Sequence, residues 1–214
     1  LLDPRHKHEP TLVTPDALGR ARRIDFLTRA IDIAVHLNAD CVSLWSGIVH
    51  DGAGRQDAMH RLIEGLSAVI EAARHRQVVL AFEPEPGMLI DTLDRFDELL
   101  QEFAAAGTDD APLQLTIDVG HLHCQGELPI ADKIRQWRSR LANVHVDDMR
   151  SGTHEHLMFG DGEIDFRPVI AALKEIGYDG PFSVELSRHS HMGPEAARRA
   201  YNYLRPLIDC RAGA

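Results

Sequence analysis

The sequence predicts an α/β chain of the (β/α)8 TIM-barrel type, and three observations lead there. Strand-like apolar runs alternate with stretches of helical periodicity and no hairpin is evident, which implies parallel strands joined by helical crossovers. Four of the strands end on an acid or a histidine: Phe82-Glu83, Ile117-Asp118, Val144-His145-Val146-Asp147 and Val184-Glu185. These ends are 35, 27 and 40 residues apart, which suits one βα unit, one unit, and two compressed units. A doubly wound sheet gathers its site at one switch point, whereas a barrel brings the ends of many strands onto one axis. Charged ends on four different strands therefore favour the barrel.

The elements follow in order. Thr14 is the expected N-cap of a first helix with Pro15 in its first turn, and Ile24, Leu27, Ile31, Ala34 and Val35 keep helical spacing. Residues 39–45 read as a strand that Ser46-Gly47 turns out of. A second helix presents Met59, Leu62, Ile63, Leu66, Val69 and Ile70. The run 78–83 reads as a buried strand, stopped by Pro84 and Pro86, which have no N–H to pair. A helix over 92–106, a strand over 113–118, a helix over 128–140 and a strand over 141–146 come next. Residues 154–163 are less regular and fit one short strand and a glycine turn. A helix over 166–176, a strand over 181–186 and a helix over 194–208 close the chain, the last with Tyr201, Leu204 and Leu207 facing inward. Five firm strands and one weak one fall short of eight. The expectation is a single barrel domain over 1–214 that lacks its first one or two βα units. A homo-oligomer that covers the open strand edges belongs to that expectation.

Composition narrows the function. The chain has 214 residues, 44% hydrophobic and 26% charged, enough for one sizeable core. No apolar run reaches the ~18 residues of a membrane span, and no basic-then-apolar leader is present. Three widely spaced cysteines fit a reducing compartment, so a cytoplasmic protein without disulfides is expected. A net charge of -10 disfavours nucleic acid as a partner.

Strand alternation puts Glu83 with Glu85, Thr116 with Asp118, His145 with Asp147, and Ser183 with Glu185. Glu83, Asp118, His145 and Glu185 together offer three carboxylates and one imidazole. Such an oxygen-rich set suits one Mn²⁺, Mg²⁺, Co²⁺ or Zn²⁺ ion, and without an ion the carboxylates would repel one another. Glu85, Asp147 and His156 are candidates to support the ligands from behind. Trp45 can stack on a sugar or serve the core, and Arg188 can bind a hydroxyl or phosphate. Arg5 and Lys7 are candidates for the same pocket.

The motifs Phe82-Glu83-Pro84-Glu85-Pro86-Gly87, Ile117-Asp118-Val119-Gly120-His121, Val144-His145-Val146-Asp147-Asp148, Gly160-Asp161-Gly162-Glu163-Ile164-Asp165-Phe166 and Val184-Glu185-Leu186-Ser187 resemble the sugar phosphate isomerases/epimerases of the xylose isomerase-like barrel superfamily. The resemblance runs from about Asp3 to Leu207. It implies one divalent metal ion on Glu83, Asp118, His145 and Glu185, with Glu83 and Glu185 as acid and base. It also implies a substrate contact from His121, and a sugar or sugar phosphate epimerised or isomerised through an enediolate.

Two other readings stay open. The related apurinic-endonuclease branch needs three zincs and extra histidines. His154 and His156 supply two, but Leu44-Trp45-Ser46-Gly47 has no histidine where that branch has one. A non-catalytic carbohydrate-binding barrel is the other.

Overall fold

The computed structural model describes residues 5–6, 8–107 and 113–210; Lys7 lies outside them. The chain divides into two compact units, Leu1–Leu115 and Thr116–Ala214.

The first unit runs α1 (Ala17–Leu37), β1 (Val42–Leu44), α2 (Arg55–Arg76), β2 (Leu80–Phe82), α3 (Leu93–Ala105) and the start of β3 (Leu113–Asp118). β1 pairs with β2 and β2 with β3, all parallel, with Leu44 opposite Phe82 and Phe82 opposite Leu115. The helices form because their apolar residues recur on one stripe and their ends are capped. Asp16, not Thr14, caps α1: its carboxylate accepts from the Leu18 and Gly19 N–H groups. Thr14 instead accepts from the Thr11 N–H at 2.8 Å, a contact that only the folded opening loop creates. The buried stripe of α1 is Leu27, Ile31 and Ala34. Val35 is 49% exposed, because it sits about 80° round the helix from Leu27. Phe82 and Phe96 stack with ring centres 5.5 Å apart, fully buried with Leu62, Leu66 and Leu80. Each such side chain contributes about 1.5–3 kcal/mol relative to exposure.

The second unit holds the end of β3, α4 (Val119–Cys124), α5 (Ile130–Gln136), β4 (Leu141–Val146), β5 (Asp148–Arg150), β6 (Thr153–Leu157), α6 (Phe166–Glu175), β7 (Phe182–Val184), a 3-10 turn (Ser187–Met192) and α7 (Gly193–Asp209). Its sheet order is β3, β4, β7, with Val144 beside Phe182 and Val146 beside Val184 in parallel register. One feature departs from the strand–helix alternation. β5 and β6 form an antiparallel hairpin, Asp148 opposite Leu157 and Arg150 opposite Thr153. Ser151-Gly152 turns it, with Gly152 at φ +69°. Tyr201 is 62% exposed rather than inward. The stripe of α7 runs through Ala196, Ala200 and Leu204, and Tyr201 lies one residue off it. β3 and β4 have the expected bounds, whereas β1, β2 and β7 pair over three residues only, fewer than the runs that contain them. Among the described residues no helix is long and apolar enough to cross a membrane, and all three cysteines are free.

Candidate metal centre

Three strands of the second unit end on potential ligands. Asp118 closes β3, His145 lies one residue inside the end of β4, and Glu185 follows β7, where its N–H donates to the Val146 carbonyl at 3.0 Å. Each side chain offers a ligand atom within 4.8 Å of the others.

Asp118 divides its work. Oδ1 accepts from the His121 N–H at 2.9 Å and so caps α4. Oδ2 is buried and has no hydrogen-bond partner among the described residues. A buried carboxylate oxygen without a partner is costly, and a cation is the partner whose chemistry suits it. His145 lies in a polar chain. The Asn143 amide nitrogen donates to Thr116 Oγ1 at 3.3 Å and lies 3.0 Å from His145 Nε2. His145 Nδ1 lies 3.0 Å from Glu185 Oε2. That hydrogen bond from His145 outweighs burial and holds the Glu185 carboxyl down at about 2. Two carboxylates and an imidazole, one oxygen of them orphaned, fit a divalent ion.

A second cluster lies beside the first. α4 supplies His121, and alternate residues of β6 supply His154 and His156. Their ring centres are 4.8, 5.2 and 5.7 Å apart, and the planes meet at 60–84°. His121 Nε2 and His154 Nε2 are 3.1 Å apart. The His156 Nδ1 contacts the wholly buried Asp147 carboxylate. Burial and the Asp118 charge push the Asp147 carboxyl up. Burial opposes charge on His156, but the Asp147 hydrogen bond and charge prevail and raise its pKa. His154 is pulled down to about 4 by burial and by His121 and His156. Gly120 makes room for this pair, because a Cβ there would collide with Asp147 Oδ1.

In the first unit, Glu83 is buried immediately after β2 and its N–H donates to the Leu44 carbonyl at 2.8 Å. The loop that follows is pinned to the end of β1. Leu89 N–H donates to the Gly47 carbonyl at 3.0 Å and Ile90 N–H to Ser46 Oγ at 3.1 Å. Gly87, at φ +83°, provides the bend that brings the Glu85 N–H to the Ile90 carbonyl. The Trp45 ring is already engaged by the protein: the Arg23 guanidinium lies 5.0 Å above it and His8 meets it edge-on at 5.3 Å.

The second unit thus brings together Asp118, His145 and Glu185, and separately His121, His156 and Asp147. Arg188 stands in the 3-10 turn after β7 and pairs with Glu155 at 3.0 Å. Sequence reasoning missed Asn143 and Asp148 and raised His154 only for the three-zinc alternative. Asn143 shares strand parity with His145 and Asp147, a signal that was present. Asp148 is buried and accepts from the N–H groups of Gly160, Gly162 and Ile164 at 2.8–3.1 Å. It thereby fixes the glycine turn.

Parallel βα units with acids and a histidine at the C-terminal strand ends define an α/β barrel-type protein with potential metal ligands at those ends. The chain belongs to the xylose isomerase-like TIM barrel family, whose model matches residues 4–207. An uncharacterized protein of Methanocaldococcus jannaschii is 28% identical over 78% of this chain and 57% of its own length. The L-ribulose-5-phosphate 3-epimerase UlaE of Shigella flexneri is 26% identical over 89% of this chain and 65% of its own. The chain therefore spans about 57–65% of the length of these curated relatives. Among solved structures, a D-tagatose 3-epimerase-like protein superposes with a TM-score of 0.73 at 21% identity, covering 95% of this chain and 86% of its own. The IolI protein with a bound zinc atom superposes at 0.72 and 20% identity, covering 91% and 72%. At such identities the structures establish the fold.

Proposed function

We propose that this chain performs the chemistry of a divalent-metal-dependent sugar or sugar-phosphate isomerase/epimerase that works through an enediolate. The observation that carries the reading is the orphaned Asp118 Oδ2 beside His145 and Glu185 at three strand ends. The epimerase relatives and the zinc in IolI support it. In this proposal Glu83, a buried acid at the end of β2, is the fourth ligand.

A bound Mn²⁺, Mg²⁺, Co²⁺ or Zn²⁺ ion would stabilise the negative charge that develops on the substrate oxygens when the neighbouring C–H bond breaks. The protein supplies the proton traffic. One of Glu83 and Glu185 accepts the proton from the substrate carbon on one face, and the other delivers a proton to the opposite face. Asn143 and Thr116 orient His145, and His145 keeps Glu185 ionised. His121 turns to a substrate oxygen from the same rim as Asp118.

The test does not depend on which sugar is physiological. Metal-reconstituted protein is incubated with ketoses and ketose phosphates in D₂O, and loss of the C3 proton signal is followed by NMR. Exchange at C3 is expected. Glu83→Gln and Glu185→Gln should each slow it about 10²–10⁴-fold, the usual contribution of a general acid or base. Exchange that persists at full rate in both variants refutes the role assignment.

A further inference from the structure

We propose that the outward face of α1 docks a second copy of this chain, with the two copies of the helix antiparallel across a two-fold axis beside Phe26. The face is a helix surface and not a strand edge. Of the ten large apolar side chains exposed among the described residues, five belong to α1. Four of them, Leu18, Phe26, Ile33 and Leu37, share one stripe and are 39% to 75% exposed. At about 100° per residue, that stripe lies about 130° round the helix from Leu27, Ile31 and Ala34, which α1 buries within its own unit. α1 is thus apolar on two sides and uses one. A contiguous exposed apolar patch of this kind marks an interaction surface.

The charges beside the stripe choose the occupant. Arg22, Asp25, Arg29 and Asp32 follow one flank at spacings of three, four and three, basic and acidic in turn. Within the chain Arg29 pairs with Asp25 at 2.7 Å, and Asp32 with Arg76. In an antiparallel two-fold pair, each flank meets the same flank of the other copy running the opposite way. One register sets Arg22 opposite the partner's Asp32 and Asp25 opposite the partner's Arg29, and the symmetry repeats both pairs. A parallel pair in register would set like charges at the same height, which disfavours it. The register that matches the charges also joins the apolar residues. The two Phe26 rings meet beside the axis, and each Leu18 falls between the partner's Ile33 and the partner's Leu37. The Arg23 guanidinium, 5.2 Å from the ring centre, covers one face of Phe26 and leaves the other for the second ring.

Analytical ultracentrifugation across a concentration series tests the proposal without reference to activity, and circular dichroism checks that each variant is folded. The unaltered chain is expected to pass from monomer to dimer. Phe26→Asp, a change at an exposed position, should leave a monomer, because it sets two carboxylates beside the axis. Asp25→Arg should raise the dissociation constant about tenfold, because two exposed ion pairs become two like-charge contacts. Asp25→Arg combined with Arg29→Asp exchanges the two charges and should recover the unaltered value. A monomer at every concentration overturns the proposal and assigns the face to an occupant other than this chain. A dimer that Phe26→Asp leaves intact overturns the choice of surface. A dimer that weakens in Asp25→Arg and is not restored by the exchange overturns the antiparallel register.

Discussion

Asp118 shows how one side chain can serve structure and chemistry together. Its Oδ1 caps α4 and its Oδ2 has nothing to bind. Asp118→Asn keeps an oxygen for the cap but loses the charge. It should therefore leave the circular dichroism spectrum intact while weakening metal binding by an order of magnitude or more in a calorimetric titration. Gly120 makes the opposite case, a residue required for what it lacks. Gly120→Ala drives a methyl group into the Asp147 carboxylate and should cost about 1–3 kcal/mol, as overpacking usually does. Urea unfolding of the chelated protein measures it, and an unchanged midpoint would show that Asp147 moves aside freely.

At the scale of elements, the loops after the strands are built as firmly as the strands. The 84–90 loop is tied to Ser46 and Gly47 by hydrogen bonds from its backbone, which fix the turn next to Glu83. In the second unit, Asp148 gathers three N–H groups of the 160–164 turn. Gly162 is required there because a Cβ would strike Asp148. Asp148→Ala strands these donors. Only the Ile164 N–H is buried, those of Gly160 and Gly162 being part-buried, so a loss of about 1–3 kcal/mol, the cost of one buried group left unpaired, is expected in chemical denaturation. The hairpin itself is legible in Ser151-Gly152, a turn signal between two short β-prone runs. The βα rhythm on either side masks it, because that rhythm suggests crossovers only.

For the whole molecule, protonation and metal compete for the same groups. Glu185 in the fold sits at about 2 against an ordinary 4.5, so the stability it lends is present above pH 4.5 and is lost as pH falls through 2. His156 is raised from 6.5 to about 9, so its contribution is full below pH 6.5 and is lost as pH rises through 9. Between these limits the lowered His154 and the raised Asp147 oppose one another. The chelated protein should therefore show a plateau in urea midpoint between about pH 4.5 and 6.5, with a decline on each side. A midpoint that climbs steadily to pH 9 would contradict the His156 pairing. Saturating metal should add stability. At 100-fold over its dissociation constant an ion contributes about 2.7 kcal/mol, which for a chain of this size raises Tm by about 5–10 °C. An unchanged Tm would count against the metal centre.

The α/β class, the barrel family and the types of donor at the strand ends are all legible in the sequence. Those properties are written in local patterns: periodicity marks strand or helix, parity marks the face, and a charge after an apolar run marks the rim. Other properties exist only in the folded chain. Asp118 Oδ2 is left without a partner, Asn143 orients His145, and His154 joins His121 and His156. Trp45 is covered by Arg23, and Asp16 rather than Thr14 caps α1. Each of these depends on which group arrives from a distant part of the chain, or from a loop whose path has no period. Local periodicity states which way a side chain points and is silent about what it meets.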